Sequence, residues 1–316
     1  EILELLSREV YGFSPPPPKE IRSETLFEDE NAWAGKAIHR EINLSFPTDL
    51  GDFSFPCNLV LPKSEKKLPL IVYISFERYP MGKHCPVEEI IDSGFALASF
   101  YYKDITSDDD DFSSGLAGKF KRDNSPWQWG KISLWAYAAS RVMDYVFGLS
   151  EVNKGAITVV GHSRLGKTAL WCAAQDQRFA AAVSNNSGCS GAAISRGKKG
   201  ESIKDITERF PFWFCDNYKK YAGAEKAMPF DQHFLLALTA PRPLYVASAE
   251  LDGWADPYSE FLSCLAVDEV YKLLGNKGFV HENRFLSPGE SLQDGNIAYH
   301  LRPGRHYLSR YDWQRF

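Results

Sequence analysis

"ITVVGHSRLGKTALW", residues 157–171, is the stretch on which the reading of this chain turns. An apolar run leads into a serine flanked by glycines, and apolar residues at helical spacing follow. That is the make-up of a nucleophile elbow, in which a strand turns sharply into a helix and lifts a serine hydroxyl above the edge of a sheet. The usual Gly-x-Ser-x-Gly is here Gly161-His162-Ser163-Arg164-Leu165-Gly166. The second glycine comes one residue late, and a permanent cation stands directly beside the serine.

Outward from the elbow, short apolar runs recur: "LPLIVYISF" (68–76), "GFALASFYY" (94–102), "FAAAVSNNS" (179–187) and "RPLYVASAE" (242–250). Helix-like segments separate them, among them "WGKISLWAYAASRVMDYVFGL" (129–149) and "RLGKTALWCAAQD" (164–176). Apolar strands alternating with helices describe a parallel sheet covered on both faces. Ahead of them "AIHREINLSF" (37–46) and "FPCNLVLP" (55–62) alternate apolar and polar residues, the pattern of a half-buried antiparallel hairpin. An antiparallel hairpin leading into a mostly parallel central sheet, with helices on both faces in three layers, predicts the α/β-hydrolase fold.

Residues 1–13 read as an amphipathic helix, stopped by the polyproline spacer "SPPPPK" (14–19). With no internal repeat and no linker after residue 20, one catalytic domain is expected over 1–316. Residues 188–236 form a long excursion between two strands, placed to roof a site at the sheet edge. The acidic run "ITSDDDDFSSGLAGKF" (105–120) lacks the ligand alternation of a calcium loop and reads as a solvated turn.

Composition narrows the class. The 316 residues are 44% hydrophobic and 24% charged, an ordinary globular mixture. A net charge of −5 argues against nucleic acid or an anionic membrane as partner, since both ask for a basic face. No apolar run approaches membrane-spanning length. The six cysteines are scattered, without the paired spacing of metal sites, and Cys172 and Cys264 fall in apolar helical patterns that suit buried thiols. Aromatics at 14% leave a surplus that suits a cleft stacking on sugar rings.

A serine hydroxyl needs a base and a group to orient that base, in this fold in the chain order serine, acid, histidine. "LDGWADP" (251–257), directly after an expected strand, offers Asp252 and Asp256. Asp252 lies nearer the strand end, whereas Asp256 before Pro257 has the look of a helix start. "HLRPGRHYLS" (300–309) offers His306 in a turn-like context, with His300 as the second choice. Arg164 follows the serine, so its backbone N–H belongs to the oxyanion hole and its side chain can add a charged donor where water is excluded. Lys167 is one helical turn from the serine, on the same face.

Taken together, "GHSRLGKTALWCAAQDQRFA", "SNNSGCSGAAISR", "GKKGESI", "MPFDQHFLLALTAPRPLYVASAELDGWADP" and "RPGRHYL" resemble the glucuronoyl esterases of carbohydrate esterase family 15, in their bacterial form. The resemblance runs over nearly the whole chain, and the Ser-Arg-x-Gly-Lys elbow is its most specific part. It implies a metal- and cofactor-free serine esterase acting on esters between (4-O-methyl-)glucuronic acid on xylan and lignin alcohols. It also implies a secreted or periplasmic monomer, with room for further modules in a polysaccharide-degrading protein. Carried over, it makes Ser163 the nucleophile, His306 the base and Arg164 the side-chain contributor to the oxyanion hole. Lys167, Glu201 and Trp254 become the holders of the uronic acid hydroxyls. Many relatives carry the acid as a glutamate after the preceding strand; here that position is Asn186, which leaves Asp252 to supply the charge. His162 stands where fungal members have a disulfide-forming cysteine. The rival readings are an acetyl-xylan or feruloyl esterase, with an acyl pocket lacking a sugar grip, and a non-catalytic polysaccharide-binding homologue.

Overall fold

The computed structural model of the chain describes residues 1–80, 82 and 84–316, and a ten-stranded sheet runs through it. The strands are β1 (Arg22–Asn31), β2 (Ala37–Thr48), β3 (Gly51–Pro62), β4 (Leu68–Ser75), β5 (Ala96–Tyr101), β6 (Val152–His162), β7 (Ala181–Asn185), β8 (Leu244–Ala249), β9 (Ser291–Leu292) and β10 (Ile297–Arg302). Their spatial order is β1-β2-β3-β5-β4-β6-β7-β8-β10-β9. Strands β1, β2 and β3 pair antiparallel, as do β3 with β5 and β10 with β9, while the pairs from β5 through β10 are parallel. The 37–46/55–62 hairpin and all the expected parallel strands are therefore present.

The central strands are buried on both faces, and successive side chains alternate between two cores. On β4, Leu70, Val72 and Ile74 join the larger core, and Ile71 and Tyr73 join a smaller one. Helices Lys131–Val146, Arg164–Gln175 and Pro257–Leu273 supply the larger core, with Trp135, Leu170, Trp171 and Phe261 among their buried side chains. Helices Val87–Asp92 and Arg310–Arg315 cover the smaller one through Val87, Ile90, Ile91 and Trp313. This is the three-layer α/β-hydrolase architecture.

Three strands escaped the sequence reading, β1, the two-residue β9 and β10. All ten residues of β1 are exposed, so an edge strand with no buried face left no alternation to detect. Strand β10, "IAYHLR", is short and buried on both faces, and it supplies the ledge from which the loop bearing His306 departs.

The N-terminal helix Ile2–Leu6 continues into a wider turn, Ser7–Tyr11. Gly12 follows at φ 84°, where a β-carbon would sit 2.3 Å from the Trp129 Cα, so only glycine lets the chain pass. The segment is fastened to the 188–236 excursion: Tyr11 donates to the Ser190 carbonyl at 2.8 Å and Tyr221 to Glu9 at 2.8 Å. All six cysteines are buried free thiols.

Candidate active site

Strand β6 ends at His162 and a helix begins at Arg164, leaving Ser163 between them at φ 58°, ψ −127°. A non-glycine residue held there stores strain, which the packing on both sides sustains. A β-carbon on Gly161 would fall 1.9 Å from the Leu165 carbonyl oxygen, so the turn requires its first glycine. The second is displaced for a packing reason. A β-carbon on Gly166 would meet Ser187 Cβ at 3.0 Å, Ser184 Oγ at 3.1 Å and the Asn185 carbonyl at 3.2 Å. The helix thus crosses β7 most closely one residue later than the usual pattern provides for.

Ser163 Oγ lies 2.9 Å from His306 Nε2, and His306 Nδ1 lies 2.6 Å from Asp252 Oδ2. The acid comes from the turn after β8 and the histidine from the loop after β10, both at the carboxyl ends of parallel strands. Burial by itself pushes the Asp252 carboxyl up. The hydrogen bond and charge of His306, the Asn186 amide and the Ala255 N–H together outweigh that and hold it below the ordinary carboxylate value. Asn186 Nδ2 donates to Asp252 Oδ2 at 2.8 Å, so the amide braces the carboxylate.

The alternatives resolve cleanly. Asp256 caps the helix Pro257–Leu273, accepting from the Ser259 N–H at 3.2 Å. His300 is fully buried on β10, bonded to Asp312 and to the Tyr245 hydroxyl.

Ser163, Asp252 and His306 open into a cleft of about 300 Å³ that Lys167, Glu201 and Trp254 also line. This is the lower end of the range for small-molecule sites. Lys167 donates to the Ser187 carbonyl, and burial lowers its pKa against the raising charge of Glu201. Glu201 is 5% exposed and Trp254 49% exposed, so the carboxylate is buried at the cleft while the indole stays open to solvent. The 188–236 excursion contributes Arg209, Phe210 and Trp213 to the cleft lining. Arg209 stacks over the Trp254 ring at 5.3 Å.

Arg164 sits differently from the other site residues. Among the described residues that line the cleft its side chain is missing; the guanidinium instead packs over the Trp213 ring at 4.7 Å and pairs through Nη1 with Asp108. Asp108 belongs to the acidic run, and here the solvated-turn reading is corrected. Its side chain is only 6% exposed, accepts from Tyr102 at 2.9 Å and Trp213 at 2.7 Å, and faces the elbow. Four identical aspartates hid the one that differs, because a run of like charges carries no periodicity to mark a buried member. Phe210 and Trp213 were equally unmarked within an aromatic-rich excursion.

Behind the base, His162 is buried with its ring 4.7 Å from that of His306. Burial and the nearby His306 charge lower its pKa to about 3, so it stays neutral while Nδ1 bonds the Asn185 side chain at 2.6 Å.

A serine on a strained strand–helix turn, hydrogen-bonded to a histidine and an aspartate after later parallel strands, places the molecule among the α/β-hydrolases. Residues 48–275 match the family model for glucuronyl esterases of fungi. The chain is 33% identical over 356 aligned positions to carbohydrate esterase MZ0003 from an unknown prokaryotic organism, covering 99% of this chain and 81% of that protein. It superposes with a TM-score of 0.91 on a glucuronoyl esterase from Solibacter usitatus, at 36% identity over 99% of this chain and 89% of the other. A promiscuous CE15 esterase from a marine bacterial metagenome gives 0.91 at 31% identity, over 99% and 88%. This chain belongs to the glucuronoyl esterase family.

Proposed function

We propose that this protein is a serine carboxylic ester hydrolase acting on esters of glucuronic acid, with the 4-O-methyl sugar on glucuronoxylan as acyl group and a lignin alcohol as leaving group. The observation that carries the reading is a single cleft joining the Ser163–His306–Asp252 chain to Lys167, Glu201 and Trp254. Ser163 Oγ attacks the ester carbonyl while His306 Nε2 takes the hydroxyl proton, and the Asp252 carboxylate balances the imidazolium. The oxyanion is received at the start of the helix Arg164–Gln175, whose first backbone N–H groups have no intrahelical acceptor, and the Arg164 guanidinium, set back from the cleft lining against Trp213 and Asp108, adds its positive charge. His306 returns the proton to the departing alcohol. Water, deprotonated by the same imidazole, then releases the free uronate and restores the serine.

On the acyl side, a charged pair and an exposed indole suit a ring bearing several hydroxyls. Such a grip discriminates against acyl groups without hydroxyls, because its polar groups are then left unpaired. We place the enzyme as a secreted or periplasmic monomer. The decisive measurement is kcat/KM on benzyl glucuronate against 4-nitrophenyl acetate, methyl ferulate and benzyl galacturonate. The glucuronate ester should lead the acetate and ferulate by at least about 10²-fold, and the galacturonate, with its 4-hydroxyl inverted, should be poorer. Equal rates on all four would remove the sugar grip from the account.

A further inference from the structure

We infer that Asp108 is a positioning residue for the oxyanion site, holding the Arg164 guanidinium so that its remaining N–H groups stay available to the reacting oxygen. This rests on the serine esterase reading above and deepens it. An arginine carries large rotamer freedom, so it acts as a preorganised donor only when something pins its fork. Here one end of the fork is taken: Nη1 bonds the Asp108 carboxylate. The flat face is taken by Trp213 at 4.7 Å, with Phe210 at 5.6 Å and Phe76 at 5.8 Å. Nε is shielded from solvent and finds no acceptor among the described residues. A buried cationic N–H without a partner is unfavourable at rest, so the guanidinium keeps this pose because Asp108 and Trp213 hold it there.

Asp108 is itself over-determined. Its Oδ2 accepts from the Tyr102 hydroxyl as well as from Arg164, and its Oδ1 accepts from Trp213 Nε1. Those bonds tie three segments to one carboxylate of the acidic loop: the turn directly after β5, the excursion that lines the cleft and the helix that starts at the elbow. A carboxylate with a purely local loop role would not need donors from the last two. The indole that Asp108 holds is the one on which the guanidinium stacks, so a single group sets both contacts of the arginine.

The test is a double-mutant cycle with Asp108→Asn and Arg164→Gln, reading kcat, KM and Tm on benzyl glucuronate and, in parallel, on 4-nitrophenyl acetate. Asp108→Asn should lower kcat about 10–100-fold with KM within about threefold, and Arg164→Gln by about 10²-fold. In the Arg164→Gln background the Asp108 change should lower kcat by less than about threefold, because there is no guanidinium left to place. Additive losses would overturn the inference, since they are what a general weakening of the loop produces. Tyr102→Phe removes one donor to Asp108 and keeps the ring. It should cost several-fold in kcat, again only while Arg164 is present, and it decides the matter if Asp108→Asn does not fold: a loss independent of Arg164, or no loss, overturns the inference. Were the wild type to prefer acetate over glucuronate, the substrate reading would fall, while coupling measured on acetate would still support Asp108.

Discussion

Two histidine–aspartate pairs, whose histidines stand six residues apart on the chain, do unlike things. His306 and Asp252 meet at 2.6 Å with the imidazole side chain 43% exposed; His300 and Asp312 meet at 2.9 Å with both side chains at 0%. The carboxylates are treated alike. Burial pushes each up, and hydrogen bonds and charge outweigh it, from His306 for Asp252 and from His300 and Arg302 for Asp312, so that both end below their ordinary value. The difference lies at the second ring nitrogen. His300 spends its own on the Tyr245 hydroxyl at 3.0 Å inside the protein, and His306 turns its own to a serine hydroxyl at the mouth of a cleft. Identical residue types become support or chemistry according to what the remaining nitrogen meets. The buried pair also serves the open one. Asp312 grips Arg302 at 2.9 Å, and Arg302 donates to the carbonyls of Pro303, Arg305 and Tyr307, fixing the loop that presents His306.

The strongest way to break this contrast is at the open pair. Ser163→Ala and His306→Ala should each lower kcat by at least about 10³-fold with Tm nearly unchanged. Substantial turnover in folded Ser163→Ala protein would sink the serine mechanism. Next comes the acid: Asp252→Asn should lower kcat about 10³-fold, while Asn186→Ala, which removes a brace and no charge, should stay within about tenfold. Steady-state kinetics of the two variants in the reverse order would show the acid to be misplaced. At the closed pair the readout moves from rate to stability. Asp312→Ala takes the carboxylate away from the buried Arg302 cation and from His300 Nε2, and should lower unfolding free energy by about 3 kcal/mol in denaturant titration, with kcat of the folded protein within about tenfold. The smallest effect is in acid. Each carboxyl is depressed below 3.8 in the folded chain, so its stabilisation is complete above that value and is lost as pH falls through the lower folded one. Unfolding midpoints followed from pH 5 downward should therefore fall less steeply in Asp312→Ala than in the wild type.

That contrast also marks what the sequence could disclose. The order serine, acid, histidine and the turn-like setting of His306 were legible because strand ends and Pro-Gly turns leave local signals. Asp252 was separable from Asp256 because a helix cap before proline has its own signature. The hairpin and parallel strands showed through their patterning. What stayed hidden was set by contacts far along the chain. Nothing local distinguishes Asp108 from Asp109, and the burial of the first depends on Trp213, 105 residues away. Nor could spacing reveal that Gly166 answers to β7, or that β1 exists without a buried face.

The fastening of the N-terminal turn to the excursion bears on how such a site comes into being. Tyr11 meets Ser190 across 179 residues of chain and Tyr221 meets Glu9 across 212, while the serine and its histidine are 143 apart. Each of these contacts must be preceded by closure of a very long loop, whose entropy is lost before any contact forms to offset it. The N-terminal turn and the excursion, and likewise the serine and its histidine, are therefore joined at the cost of long-range closure entropy, which raises the contact order of the fold.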